Sequence, residues 1–151
     1  FSHLELQPDT LPDKFEAGTP NLPGIAGLFA ALEWIGETGM ENIRRREEAL
    51  GALLLEGLLS LPGVQLSGRK TMDGRLPVFA VNFRGRDNGI LAARLSDEWG
   101  IETRPGLHCA PLAHKTLGTF PGGALRLSPG WFTTVEEVQK TVGALKEILS
   151  T

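Results

Sequence analysis

The sequence has few of the features that mark secreted, membrane-embedded or nucleic-acid-binding proteins. It contains a single cysteine, Cys109, among 151 residues, so a disulfide framework within the chain is excluded and a reducing, cytoplasmic compartment is expected. No segment approaches the roughly 18 consecutive apolar residues that a membrane-spanning helix needs, so we expect no membrane partner. The formal net charge of −3 gives no basic footprint for nucleic acid, so we expect no such partner.

Two further signals are missing. The first residues contain no basic segment followed by an apolar one, so they do not resemble a secretory signal peptide. They also lack an initiator methionine, from which we expect the chain to be cut from a longer protein. Only His108, Cys109 and His114 cluster among the histidines and the cysteine, and a closed zinc site needs a fourth ligand, so no metal site is expected.

The apolar pattern predicts alternating helices and short strands. Residues recurring every three or four positions predict helices at 24–38, 40–61, 88–99, 110–117 and from Thr133 onward. Apolar runs predict strands at 64–66, 77–83, 101–104 and 124–128. Short strands with helices to cover one face indicate an α+β fold.

Two of the predicted helices begin with capping signals. Asp87 precedes the helix at 88–99 as a plausible N-cap, and Thr133–Glu136 matches a capping box. The last helix is expected to present five residues to the core: Val135, Val138, Val142, Leu145 and Leu149.

The segment 104–111, RPGLHCAP, gathers groups that favour a reactive cysteine. The thiolate is the attacking form of Cys109, and cationic groups such as Arg104 and the adjacent His108 favour it. Glycine and proline bracket the cysteine, which favours a loop, where catalytic groups are common. On local evidence alone, however, a small buried hydrophobe is the commoner fate of a single cysteine.

Two other segments each have two interpretations. Arg126 lies between two leucines in a predicted strand, where it either faces solvent or binds a carboxylate through two hydrogen bonds. Gly18 and Thr19, within Glu16–Asn21, precede a helix and offer a hydroxyl and backbone N–H groups to a phosphate. The simpler interpretation of Glu16–Asn21, an ordinary turn and N-cap, is favoured locally.

Taken in order, three segments resemble motifs of the cysteine desulfurase family, part of the class V aminotransferase-like group of fold-type-I pyridoxal-phosphate enzymes. Phe15–Asn21 resembles the family's FEAGTPN stretch, and Arg104–Pro111 resembles its R-x-G-x-H-C-A loop. Arg126–Glu137 resembles its R-x-S…N-T-x-E-E segment. The resemblance extends from about Pro12 to the end of the chain. The sequence departs from the family pattern at three positions: Pro105, Leu107 and Thr133.

The resemblance implies roles for the residues around the cysteine. Cys109 matches the nucleophile that takes the sulfur of L-cysteine and becomes a persulfide, and His108 matches the histidine next to it. Arg126 matches the arginine that binds the substrate carboxylate. Arg104 matches an arginine lining the same pocket.

The resemblance also implies a cofactor and partners. The cofactor is pyridoxal 5′-phosphate, and Thr19, with Gly18, matches the residue that reaches its phosphate in the neighbouring subunit of a homodimer. A sulfur-acceptor protein is a further implied partner.

The resemblance finally implies a domain organisation. Residues 1–38 match the tail end of a large cofactor-binding domain with a linking helix, and residues 39–151 match the C-terminal small domain, a small, mostly antiparallel sheet covered by helices. The lysine that holds the cofactor lies upstream in that large domain, so this chain alone is expected to be inactive. Other interpretations are a stand-alone non-catalytic or sulfur-carrier domain, a structural domain with an inert cysteine, and selenocysteine lyase or other class V aminotransferase-like activity.

Overall fold

The computed structural model describes residues 5–6, 8–16 and 18–150, and the chain divides into two compact units, 1–40 and 41–151. His3 and Ala17 lie outside the described residues. The helices are α1 (Leu22–Thr38), α2 (Met40–Leu59), α3 (Asn88–Trp99), α4 (Pro111–Leu117) and α5 (Val135–Ser150). The strands are β1 (Val64–Leu66), β2 (Phe79–Phe83) and β3 (Leu125–Leu127).

Helix α1 is the regular element of the first unit. The Asn21 side chain accepts a hydrogen bond from the Gly24 N–H at 3.1 Å, so Asn21 is the N-cap of α1. None of the helix residues is buried, and Leu28 and Phe29 are 61% and 62% exposed. The amphipathic pattern therefore forms a helix whose apolar side is largely exposed.

The second unit is built on a three-stranded antiparallel sheet in the order β1-β2-β3. Val64 pairs with Phe83, and Phe79 pairs with Leu127. Alternate residues of β2 are buried, while Asn82 between them is only half-buried, as expected for a sheet with one face on the core. The prediction of an α+β fold with a small antiparallel sheet and helices is confirmed.

The core joins the buried face of the sheet to helices α2, α3 and α5. Its largest fully buried side chains are Phe79, Leu58, Leu95, Leu125, Leu145, Ile148 and Val81. Helix α3 begins as predicted, because the Asp87 side chain accepts a hydrogen bond from the Ile90 N–H at 3.0 Å. No described helix combines the length and the apolar character that crossing a membrane requires.

The predicted strand at 101–104 is wrong as a strand. The Ile101 N–H donates to the Leu95 carbonyl at 2.9 Å, which ties this segment to the end of α3. Only Arg104 forms a bridge, opposite Arg126 of β3. The pairing nevertheless continues past Pro105, since the backbones of Gly106 and Ala124 exchange hydrogen bonds of 3.0 and 3.1 Å. The segment 104–106 is therefore a short edge addition to the sheet.

The capping box of α5 forms one residue later than predicted. The Glu137 N–H donates to the Thr134 hydroxyl at 3.1 Å, and the Thr134 N–H donates to the Glu137 carboxylate at 2.8 Å. The Thr133 hydroxyl instead accepts a hydrogen bond from the Gly130 N–H. Because the helix begins at Val135, this residue lies in the first turn and is 46% exposed, so its predicted place in the core is wrong.

Candidate functional site

Cys109 lies in a tight turn between the edge segment 104–106 and helix α4. The Ala110 N–H donates to the Leu107 carbonyl at 2.9 Å, which closes a four-residue turn with His108 and Cys109 at its centre. Their φ angles are +53° and +60°. Two consecutive positive φ angles are the signature of a type I′ turn, which favours glycine, asparagine and aspartate. A histidine and a cysteine there carry backbone strain of about 1–3 kcal/mol each.

The side chain of Cys109 is exposed in this turn. The interpretation of this cysteine as a small buried hydrophobe is therefore wrong. Glycine and proline on either side had pointed to a loop, and the structure has one there. An exposed sulfur is accessible to another molecule, as a reactive thiol must be.

Arg104 links the cysteine to strand β3. Its Nη2 lies 3.5 Å from the Cys109 Sγ, as donor to the sulfur. Its backbone exchanges hydrogen bonds of 3.2 and 2.8 Å with Arg126. Residues directly opposite in an antiparallel pair project their side chains from the same face of the sheet. The two arginines therefore lie side by side, with the sulfur bound to one of them.

Arg126 lies on the sheet face opposite to the core. It is half-buried, and both of its neighbours in β3 are buried, as strand alternation predicts. Among the residues that the structure describes, none forms a hydrogen bond or an ion pair with its guanidinium. Two adjacent cationic side chains repel each other, so an anion bound between them is stabilised.

The His108 ring is held from two sides. Its Nε2 lies 2.9 Å from the Arg104 carbonyl, which only accepts, so Nε2 carries the proton that is donated. Its other contact is the ring of His114, 5.6 Å away between centroids and inclined by 64°. In the neutral ring, Nδ1 of His108 is left with a free lone pair.

His114 is the residue near the cysteine that sequence reasoning used only as a possible metal ligand. It is 5% exposed, and its Nδ1 lies 2.7 Å from the Thr119 hydroxyl oxygen. The apolar residues of α4 do not predict its burial, since two of them, Leu112 and Leu117, are themselves exposed. Within the described residues, no three histidine, cysteine or acidic side chains lie close enough together to hold a metal ion.

The backbones of Gly123 and Gly106 pack closely together at the start of the cysteine loop. A Cβ atom at Gly123 would lie 2.1 Å from the Gly106 carbonyl oxygen, which is well inside contact distance. Gly123 also has a φ of +71°. Glycine is therefore required here for both the space and the backbone conformation.

Gly18 and Thr19 belong to the other unit of the chain. Both are exposed, and Gly18 has a φ of +96°. Their placement leaves a hydroxyl and a turned backbone free beside the start of α1. The remaining four candidate residues, Arg104, His108, Cys109 and Arg126, lie together in the second unit.

A concave region of about 270 Å³ lies elsewhere, at the start of α5. Its lining contains none of the candidate residues. Two of its polar groups are already bonded within the protein: Lys140 Nζ donates to the Trp99 carbonyl at 2.6 Å, and the Glu102 carboxylate accepts from the Ser96 hydroxyl at 3.0 Å. The candidate site is therefore identified by its reactive groups and not by this concave region.

Sequence comparison relates this chain to curated cysteine desulfurases. A probable cysteine desulfurase of Xylella fastidiosa (strain 9a5c) is 36% identical over 141 residues, which cover 93% of this chain and 32% of that protein. A cysteine desulfurase of Escherichia coli O8 (strain IAI1) is 38% identical over 139 residues, which cover 91% of this chain and 32% of that protein. The chain thus spans about a third of the length of these relatives.

Solved structures agree with the sequence comparison. The apo cysteine desulfurase of Thermococcus onnurineus NA1 is similar with a TM-score of 0.83 and 34% identity, over 92% of this chain and 34% of that one. The cysteine desulfurase CsdA of Escherichia coli, in its S-sulfonic acid form, is similar with a TM-score of 0.80 and 31% identity, over 92% and 33%.

A third similar structure widens the group. It is an alanine–glyoxylate aminotransferase from Nostoc, with a TM-score of 0.70 and 26% identity, over 91% of this chain and 34% of that one. The sequence profile of the aminotransferase class V family matches residues 2–141. Since this match covers nearly the whole chain, the protein belongs to the aminotransferase class V family.

Proposed function

We propose that this chain supplies the sulfur-accepting cysteine and the carboxylate-binding arginines of a cysteine desulfurase, which takes sulfur from L-cysteine and leaves L-alanine. The observation that carries the proposal is the pairing of Arg104 with Arg126, with the Cys109 Sγ 3.5 Å from Arg104 Nη2. An amino acid bound there would meet cationic groups for its carboxylate and a thiol for its side chain. The names of the two curated relatives described above support the same activity.

The carboxylate is assigned to Arg126. Its guanidinium has no ion-pair or hydrogen-bond partner in the part of the chain that the structure describes, and its planar fork matches a carboxylate through two parallel hydrogen bonds. Arg104 contributes a second positive charge on the same face of the sheet. This arrangement orients the substrate so that its other end reaches the turn that contains Cys109.

The sulfur step belongs to Cys109. The Arg104 guanidinium lies beside the sulfur, which attacks as the thiolate. The thiolate attacks the substrate sulfur, a new sulfur–sulfur bond forms, and the carbon–sulfur bond of the substrate breaks. The electron pair of that bond stays with the substrate β-carbon, which takes a proton to complete alanine. The exposed persulfide is then accessible to a sulfur-acceptor protein.

The family implies pyridoxal 5′-phosphate as the cofactor. Thr19 and Gly18 fit one part of it, because an exposed hydroxyl beside a backbone at φ +96° suits a phosphate oxygen. When bound, this cofactor supplies an electron sink for bond cleavage at the amino acid. The lysine of α4, Lys115, is not a candidate for holding it, since its Nζ lies over the Phe120 ring, 5.2 Å from the centroid.

We also propose the organisation of the whole protein that the family resemblance implies. Residues 1–38 would be the tail end of a large cofactor-binding domain with its linking helix, and residues 39–151 the small C-terminal domain. The cofactor lysine and the ring contacts would come from that large domain, so this chain alone would not turn over cysteine. The parent enzyme would be a cytoplasmic homodimer, with Thr19 reaching the cofactor of the neighbouring subunit.

The direct test is mass spectrometry of Cys109 after turnover. Full-length protein with bound cofactor, incubated with L-cysteine and no reductant, is expected to carry one added sulfur atom on the peptide that contains Cys109. A thiol reductant should remove this atom and release sulfide. An unmodified Cys109 during continuing sulfide release would contradict the proposal.

A stand-alone sulfur carrier is the second candidate, and the exposure of Cys109 favours it over an inert structural domain. A carrier would accept sulfur from a separate persulfide donor without any cofactor. The same mass measurement on the 151-residue chain, with a persulfide donor in place of L-cysteine, separates the two. Selenide release from L-selenocysteine, compared with sulfide release from L-cysteine, assigns the substrate within the family.

Replacing Arg126 with lysine is expected to raise the KM for L-cysteine about tenfold to a hundredfold. Lysine keeps the charge and loses the two-bond fork, and a lost charge-assisted hydrogen bond costs about 1.5–3 kcal/mol. Steady-state kinetics on the full-length enzyme measure this change. Arg84→Lys, an exposed arginine outside the site, is the matched control and should leave the KM unchanged. An Arg126→Lys enzyme with an unaltered KM would remove this arginine from substrate binding.

A further inference from the structure

The buried imidazole of His114 has no place in the chemistry proposed above. Among the described residues, only Asn88 and His114 are polar or charged and buried. Burying a polar ring costs free energy unless its nitrogen atoms are hydrogen-bonded, and an apolar side chain would fill the same space more cheaply. The presence of an imidazole therefore calls for a specific contact that an apolar residue cannot make.

The contacts of His114 lead from the sheet back to the cysteine turn. Its Nδ1 lies 2.7 Å from the Thr119 hydroxyl, and its ring makes a T-shaped contact with the His108 ring, with the centroids 5.6 Å apart. His108 in turn is bonded to the carbonyl of Arg104. This series of contacts runs from Thr119 to the arginine that contacts the Cys109 sulfur.

The far end of the series is anchored in the same sheet. The Thr119 carbonyl accepts a hydrogen bond of 2.7 Å from the Gly123 N–H. Gly123 lies directly against the backbone of Gly106, on the edge segment. Together these contacts form a closed ring of interactions around the turn that contains Cys109, and the contact between the two imidazole rings is one of its links.

The turn needs such support. Positive φ angles at two successive residues other than glycine persist only where the surroundings over-determine them. The hydrogen bond from Ala110 to Leu107 closes the turn, and the histidine pair holds its first central residue. If His108 is released, the backbone of Cys109 is free to move to negative φ, and the sulfur then leaves Arg104.

We propose that Thr119 and His114 are positioning residues that keep the Cys109 sulfur beside the Arg104 guanidinium. Thr119 fixes the ring of His114, His114 supports the ring of His108, and His108 holds the turn. This inference deepens the proposed function, because it assigns the support of the same nucleophile. It is nevertheless tested without turnover, through the reactivity of the thiol itself.

The test is the rate of Cys109 alkylation by iodoacetamide at neutral pH in the 151-residue chain. Thr119→Val removes the hydroxyl at nearly constant shape, and alkylation is expected to slow about fivefold as the sulfur leaves its cationic neighbour. Thr119→Ser restores the hydroxyl and should restore the rate to within about twofold. The carbon–proton NMR signals of the His108 ring should shift in the valine variant and return in the serine variant.

The matched control is Thr116→Val, in helix α4, which also contains His114. The Thr116 hydroxyl donates to the Leu112 carbonyl at 3.1 Å, and in the part of the chain that the structure describes it forms no hydrogen bond with His108 or His114, so its loss should leave alkylation unchanged. If Thr119→Val does not fold, His114→Asn replaces it, since asparagine keeps a polar atom near Thr119 and removes the ring. Its alkylation is also expected to slow about fivefold.

Two outcomes would overturn the inference. One is a Thr119→Val or His114→Asn chain that is less stable in urea and yet alkylates at the wild-type rate or faster. The other is equal slowing in Thr116→Val. Neither outcome tests desulfurase activity, because the experiment contains no substrate or cofactor. Absence of desulfurase activity in the full-length protein, with the alkylation rates as expected above, would count against the proposed function and leave this inference intact.

Discussion

Sulfide release by the full-length enzyme is expected to fall at least about a thousandfold when Cys109 is replaced with serine, as for the loss of other covalent nucleophiles. Serine keeps nearly the same size, but its hydroxyl is not ionised at neutral pH and does not attack the sulfur of the substrate. The measurement is sulfide production from L-cysteine with excess thiol reductant.

The fold is expected to tolerate this change, which makes the result interpretable. Cys109 is exposed and, among the described residues, its side chain makes a polar contact only with Arg104, so the urea midpoint should move little. Binding of the substrate carboxylate should also survive, because Arg126 is unaltered. Wild-type sulfide release from Cys109→Ser would remove this residue from the mechanism.

Replacing Gly123 with alanine is expected to lower the free energy of unfolding of the second unit by about 2–5 kcal/mol. Positive φ costs an alanine about 1–2 kcal/mol, and forcing an atom into a packed backbone contact costs a further 1–3 kcal/mol, to order of magnitude. The new Cβ would lie 2.1 Å from the Gly106 oxygen. Urea denaturation followed by circular dichroism gives the change directly.

Gly118 provides a matched control for this experiment. It has the same φ of +71° as Gly123, but no atom lies within 4 Å of the position that its Cβ would take. Gly118→Ala should therefore cost only the conformational part, about 1–2 kcal/mol. Equal destabilisation of the two variants would mean that the contact between Gly106 and Gly123 is not a real constraint.

Local signals in the sequence were sufficient where local energetics decides the structure. Asp87 caps α3 and Leu91 and Leu95 lie in the core, since the cap and the helical period depend only on near neighbours. The segment 101–104 failed as a strand because Ile101 belongs to the C-terminal cap of α3, where its N–H binds the Leu95 carbonyl after the left-handed Gly100. Val135 failed as a core residue because two successive threonines both offer a cap, and the second is used.

The candidate site also has features that the sequence predicted and features that it did not. The loop position of Cys109 was predictable, because glycine and proline flank it. The exposure of its sulfur and its bond to Arg104 were not, since they depend on the pairing of the edge segment with β3. The role of His114 was beyond sequence reasoning, because both of its ring contacts depend on how the chain turns at Thr119 and at His108.

The unusual backbone of the turn has a consequence for the catalytic cycle as a whole. In the proposed function, an added sulfur atom would lengthen the Cys109 side chain without requiring a change in its φ of +60°. The conformational energy of the turn would then be the same before and after loading and would contribute nothing to the driving force of the proposed sulfur transfer. The cost of ordering the turn is met once, on folding, so the proposed nucleophile would already be oriented before a substrate binds.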